Sequence, residues 1–188
     1  MQRTRAVVLV MCSVAIIVAS WGSAATAGTA AKKKPKLNCS QGAAAIKEIG
    51  PLFDREANSQ NAFSDQIKTI QFGNLKSVQK AVKAVNASNP LKTVRANPTA
   101  DVTFPDKNSA IGTLVITLNP ERTQTINQGP QYYMCVGKDQ NGTKKGAWRI
   151  TLYSFCNLAA LAPCPTDIVT KGTNALSPKL LAETTKSG

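Results

Sequence analysis

The chain contains no histidine. Without imidazole there is no Ser-His or Cys-His nucleophile pair and no histidine metal ligand, so a catalytic site would have to be assembled from carboxylates, lysine, tyrosine or a perturbed thiol. No Cys-x-x-Cys occurs either, which leaves a dithiol redox centre or a zinc site without a sequence basis. Acidic residues are scarce, 10 against 23 Lys and Arg, for a formal charge of +13. These absences point away from enzymes, and neither a metal nor a cofactor is expected.

What is present begins with the first 31 residues. Arg3 and Arg5 precede an uncharged apolar run, Ala6 to Ser20, and small residues follow at Ser23, Ala24, Ala25, Thr26 and Ala27. This is the grammar of a secretory signal, with Ala25-Thr26-Ala27 as the cleavage site and Gly28 as the mature N-terminus. The rival is an uncleaved anchor. Residues 6–31 carry no charge, a membrane helix needs only about 20 apolar residues, and Lys32, Lys33, Lys34 and Lys36 follow directly. Ser20, Gly22, Ser23, Thr26, Gly28 and Thr29 weigh against it. Removing residues 1–27 takes out Arg3 and Arg5 and no acid, leaving 161 residues with 21 basic and 10 acidic side chains, a formal +11. That charge predicts a weak attraction to anionic surfaces, lost by about 0.15 M salt as exposed charges are screened. Export makes nucleic acid an unexpected partner.

Residues 28–38 read as a basic linker, 39–165 as a disulfide-bonded domain and 166–188 as a polar, mostly disordered tail with at most a helical turn near Pro178. The domain opens with a helix from Cys39 in which Ser40 serves as N-cap and Ile46 and Ile49 repeat at helical spacing. Gly50-Pro51 ends it, Leu52 and Phe53 pack as a turn, and Asp54 to Asn61 is a loop. Ser64 caps a second short helix carrying Phe63, Ile67 and Ile70 on one face. Residues 74–87 form the clearest helix: Leu75, Val78, Val82 and Val85 make one stripe, Lys76, Lys80 and Lys83 the opposite one. The lysine row is either a solvated outer face or a binding strip.

The period then changes to two. Ala100, Val102 and Phe104 alternate with polar residues. Ala110, Gly112, Leu114, Ile116 and Leu118 share a face, as do Tyr132, Met134 and Val136, and then Trp148, Ile150 and Leu152. Leu91 to Arg95 starts the first strand early, with Asn97-Pro98 as a bulge or edge break. Helices followed by turn-linked strands give an α+β fold, an antiparallel sheet covered on one face. A last helix starts at Ser154 and closes at Pro163.

Of the five cysteines, Cys12 leaves with the leader. Cys39, Cys135, Cys156 and Cys164 remain and allow three connectivities. Cys156–Cys164 and Cys39–Cys135 are expected from the elements that carry them. Eight residues of continuous helix would hold Cys156 and Cys164 about 12 Å apart, whereas bridged Cα atoms lie about 4.4–6.8 Å apart. The pairing therefore requires the helix to end by about Leu161.

The runs Leu52-Phe53-Asp54 and Ala62-Phe63-Ser64-Asp65, the helix ending Asn89-Pro90, Ala147-Trp148-Arg149-Ile150, Phe155-Cys156 and Ala162-Pro163-Cys164-Pro165 resemble a family of small actinobacterial exported proteins, named for a mycobacterial low-molecular-weight secreted antigen. The resemblance covers about residues 41–165. It implies a cone-like domain of helices on a curved sheet of about four strands, of the nuclear-transport-factor or cystatin type, and brings no catalytic residues with it. The basic linker and polar tail depart from the usual form.

The function expected is that of a non-enzymatic secreted or envelope-associated protein that binds an apolar small molecule or an envelope component through the concave face of its sheet. The pocket candidates are Phe53, Ile67, Phe104, Leu114, Ile116, Tyr132 and Trp148, each also readable as ordinary core. Two alternatives stand beside this. One is a carboxylate acid/base enzyme, with Asp54, Glu56, Asp101 and Asp106 as the candidate bases; the other is an electrostatic binder of anionic envelope polymer.

Overall fold

A computed structural model of the chain describes residues 36–57, 61–88, 94–98, 101–118, 124–158 and 164–186. The signal and anchor readings, and the linker as far as Pro35, lie outside the described residues.

The fold is α+β. Helices α1 (Gly42–Ile49), α2 (Leu52–Ala57), α3 (Phe63–Thr69) and α4 (Lys76–Ser88) precede strands β1 (Val94–Pro98), β2 (Thr103–Asp106), β3 (Ser109–Leu118), β4 (Gln124–Val136) and β5 (Ala147–Ile150). Helices α5 (Leu152–Leu158), α6 (Thr166–Asn174) and α7 (Pro178–Lys186) follow. The alanine-rich run of α1 is a good helix former and buries Ala45 and Ile49, one turn apart. In α4 Val78 and Val82 are fully buried while Lys76, Lys80 and Lys83 stay exposed, the amphipathic arrangement expected from the sequence.

Several helix boundaries differ from the sequence reading. Helix α1 starts after Gln41, whose side chain makes no cap bond within the helix. Ser40 lies outside it and gives its carbonyl to Trp148 Nε1 at 3.0 Å. Leu52 and Phe53 open α2, so the stretch expected to be a loop is helical as far as Ala57. Ser64 sits inside α3, which follows Ala62. Leu152 opens α5 instead of extending the fourth strand, and the cap is Thr151, whose Oγ1 accepts the Ser154 N–H at 3.1 Å. Ser154 Oγ is taken up elsewhere, accepting the Tyr132 N–H at 2.7 Å in a buried position.

The sheet is antiparallel throughout, in the order β1-β3-β4-β5. β2 lies on the same edge of β3 as β1, further along it: β1 pairs with Leu114–Leu118 and β2 with Ser109–Ile111. Asn97 and Pro98, expected as a bulge or edge break, instead pair in regular register with Val115 and Leu114, and of the expected early start residues 91–93 lie outside the described residues. β4 is longer than its apolar residues imply, since its polar half from Gln124 pairs with β3 as well. Thr113 pairs with Pro130 and Leu114 with Gln128, so Gly129 is an extra residue in the ladder. Such a bulge bends the strand that carries it and gives a proline a place in a sheet.

The two faces of β4 feed different clusters. Tyr133 and Cys135, with Leu114, Trp148 and Ile150, meet Ile49, Phe53, Val78 and Val82 from the N-terminal helices. Phe53 and Tyr133 pack edge to face at 5.6 Å, as do Phe104 and Trp148 at 6.0 Å. On the opposite face Tyr132 packs with Leu176 and Leu180, flanked by Ile111, Met134 and Tyr153. The sheet is thus covered on both faces, not one.

That second layer corrects the reading of residues 166–188 as a mostly disordered tail. Ile168, Gly172, Leu176 and Leu180 recur every fourth residue and are all buried. A Cβ on Gly172 would come within 2.9 Å of Tyr153 N, so glycine is what lets α6 lie against the start of α5. Ser177 anchors α7. Its Oγ accepts the Leu180 N–H at 3.2 Å as an N-cap ahead of Pro178, lies 2.8 Å from Ser109 Oγ, and donates to Asp106 Oδ2 at 3.2 Å.

Both expected disulfides are present: Cys39–Cys135 with Cα atoms 5.9 Å apart and Cys156–Cys164 at 5.5 Å. α5 ends at Leu158, early enough for the chain to return to Cys156. Paired cysteines fit an oxidising compartment outside the cytoplasm, and no helix among the described residues is long and apolar enough to cross a membrane.

Candidate functional site

The face expected to hold a pocket is filled. Phe53, Leu114 and Trp148 are at most 1% exposed, so no water-sized void opens onto them. Ile67 and Phe104 pack against the same core as partly buried neighbours. Tyr132 points to the other face, edge to face with Tyr153 at 5.7 Å. The side chain of Ile116 lies outside the described residues. The six described candidates belong to two separate core layers, and the structure does not gather them around an opening.

An opening lies elsewhere, at the end of the sheet where the chain enters the domain. It is a cleft of about 400 Å³ between Leu37, the β2–β3 turn at Asp106–Asn108, the end of β4 at Met134–Gly137, Gln140 and Ser177. Its accessible apolar lining comes from Leu37 and Met134, with Val136 buried behind them. Four contacts hold it in shape. The Cys39–Cys135 bridge ties the entering segment to β4. The Asn38 N–H donates to Lys145 O at 2.6 Å, and Gln41 Nε2 donates to Lys107 O at 2.8 Å. Leu37 lies over Gly137, where a Cβ would meet its Cδ2 at 2.9 Å.

The segments meeting here carry cations. Lys107 lines the cleft, Lys36 precedes Leu37, Lys138 follows Gly137, and Lys144 and Lys145 lie on the loop to which Asn38 bonds; all five are exposed. Two carboxylates share this end. Asp106 is committed to the fold, accepting Asn108 N–H at 2.8 Å on Oδ1 and Ser177 Oγ on Oδ2, and Asp139 is exposed. Lys107 lines the cleft itself, and with the four exposed lysines on the adjoining segments against two carboxylates this end of the domain is positively charged. The sequence signal for this was thin. The lysines are spread over 110 positions, and only the folding of four segments to one point gathers them.

The other charged candidates are dispersed. Lys76, Lys80 and Lys83 form the outer face of α4, with Lys83 Nζ 5.0 Å from the centre of the Phe63 ring. Asp54 lies in the first turn of α2 and Asp101 is exposed ahead of β2; the side chain of Glu56 lies outside the described residues. No metal-sized cluster of Cys, Asp or Glu occurs among the described residues.

Two buried groups were not singled out by the sequence. Tyr133 is fully buried, its hydroxyl has no hydrogen-bond partner, and burial pushes its phenol far above the ordinary value. Arg149 is half-buried, with Nη1 donating to Trp148 O at 2.7 Å. Burial lowers its pKa, Glu48 opposes the shift and Arg55 adds to it. Neither faces the cleft lining. No family model matches the chain, and no curated protein or solved structure does so either.

Proposed function

We propose that this is an exported, disulfide-braced binding protein without catalytic activity, akin to the actinobacterial secreted antigens it resembles, and that it holds its partner in the cleft at the end where the chain enters the domain. The observation that carries the reading is the contrast between the two faces and this end. The face beneath α1 to α4 is packed shut, while the cleft combines apolar surface at Leu37 and Met134 with Lys107 and neighbouring exposed lysines. Concave, mostly apolar openings with a few fixed polar groups are the usual form of a binding site. The leader sequence and the paired cysteines supply the export half of the reading.

The test is in-cell photo-crosslinking. A benzophenone side chain at Met134, in the cleft, is expected to give a covalent adduct that the same group at Val169, an exposed apolar residue of α6, does not give. Equal labelling at the two positions, or none at Met134, would overturn the proposal.

A further inference from the structure

We infer that the occupant of the cleft is the anionic lipid of a membrane surface, with phosphate head groups on the lysines at this end of the domain and acyl carbon against Leu37 and Met134. The inference rests on the reading of the chain as a binding protein and names its ligand. Charge complementarity carries it. Lys36, Lys107, Lys138, Lys144 and Lys145 are exposed on segments that touch one another. The same stretch of sequence continues with Lys32, Lys33 and Lys34, and no acidic residue occurs before Glu48.

The apolar part of the lining separates lipid from a purely polyanionic partner. A polymer of acidic sugars or a nucleic acid has nothing to place against Leu37 and Met134. A peptide pairing by its backbone is disfavoured because amides at the cleft are already used: Cys135 N–H donates to Asn108 O, Asn108 N–H to Asp106, and Gln140 N–H to Gly137 O. The salt-sensitive attraction expected from sequence came from net charge, including the Lys76, Lys80 and Lys83 row on α4, which lies away from the cleft. The lysines at the cleft differ in adjoining apolar surface, at Leu37 and Met134. Charge interactions of exposed groups fade beyond about 8 Å at physiological ionic strength, but contact between acyl carbon and Leu37 does not depend on salt.

The experiment is vesicle co-sedimentation of the exported protein with both disulfides intact. Vesicles of phosphatidylcholine containing phosphatidylglycerol are compared with phosphatidylcholine alone, at low salt and at physiological ionic strength. Each lysine near an anionic surface is worth about five-fold in binding. Lys107→Glu with Lys138→Glu is therefore expected to weaken binding to the anionic vesicles by more than ten-fold. The charge-matched pair Lys80→Glu with Lys83→Glu, on the outer face of α4, is expected to leave it within about two-fold. Leu37→Ser is expected to keep low-salt binding and lose the part that survives physiological salt. A thermal melt of each variant confirms that it is folded.

Equal loss from the two lysine pairs would show that net charge alone acts, and would overturn the inference. So would equal binding to phosphatidylcholine alone, or no binding at physiological salt. A Met134 adduct in cells together with no vesicle binding would remove the lipid and leave the binding reading standing.

Discussion

Tyr133 sits at the centre of the core with its ring against Phe53 and its hydroxyl unpaired. A buried, unsatisfied polar group costs about 1–3 kcal/mol, so Tyr133→Phe is expected to stabilise the protein by about 1 kcal/mol, read as a higher melting temperature at neutral pH. The phenol also sets a pH dependence. Burial raises its folded pKa above the ordinary 10.0, so above pH 10 the folded state holds a proton that the unfolded state releases. That contribution is intact below the unfolded pKa and is lost as pH rises towards the folded one. Tyr133→Phe should flatten the fall of stability above pH 10; an unchanged slope would assign the fall to other groups. Gly146 is a second single-residue test. It has φ +106°, and a Cβ there would lie 2.8 Å from Cys39 Sγ and 3.0 Å from Cys135 Sγ. Gly146→Ala should cost about 1–3 kcal/mol from the backbone alone and reduce the yield of that disulfide, seen by non-reducing peptide mapping. At this scale the cysteine pairing was legible from the elements that carry the cysteines, and it held because α5 ends at Leu158, short of the length that would hold Cys156 and Cys164 apart. The caps were not. Ser40, Ser64 and Ser154 are cap-like by type, but a cap depends on what else wants the atoms, and Ser40 O serves Trp148 while Ser154 Oγ serves Tyr132.

Among the elements, α6 and α7 separate sequence from structure most clearly. Apolar residues there are few, and a one-sided helix with a four-residue repeat of Ile168, Gly172, Leu176 and Leu180 reads as polar until a sheet face is present to receive it. Leu180 is fully buried, and Leu180→Ala should cost about 2–5 kcal/mol in chemical denaturation; a disordered tail would give no change. The polar half of β4 was hidden for a related reason. Gln124–Gln131 lacks apolar alternation and contains Gly129-Pro130, which looks like a turn and is a bulge within a continuous strand. In contrast α4 and the alternating residues of β3 and β5 were plain, since each buries one stripe or one face against a single layer. The disulfides make a further test at this scale. In the chain-entropy model, whose mechanism is disputed, the Cys39–Cys135 loop should contribute about 4.7 kcal/mol and the Cys156–Cys164 loop about 2.5 kcal/mol. Replacing each pair by serine in turn and comparing midpoints checks the order; the reverse order would mean that the short bridge holds α6 and α7 on the sheet.

For the molecule as a whole, one sheet carries two layers of helices and keeps its open surface at one end. The α+β class was readable from helices followed by strands, because periodicity reports which residues face a core. The site was not, because a cleft built where four distant segments meet leaves no local pattern, and the aromatic residues that looked like pocket lining are needed to fill the space between layers. Under the proposed function this end, and not the face beneath α1 to α4, meets the partner. Backbone amide exchange of the protein with both disulfides intact, in buffer and with isolated cell envelope, tests it most directly. Slowed exchange confined to residues 36–41, 107–108 and 138–146, with α1 to α4 unchanged, is the predicted result; slowing along α1 to α4, with none at the cleft, would contradict it.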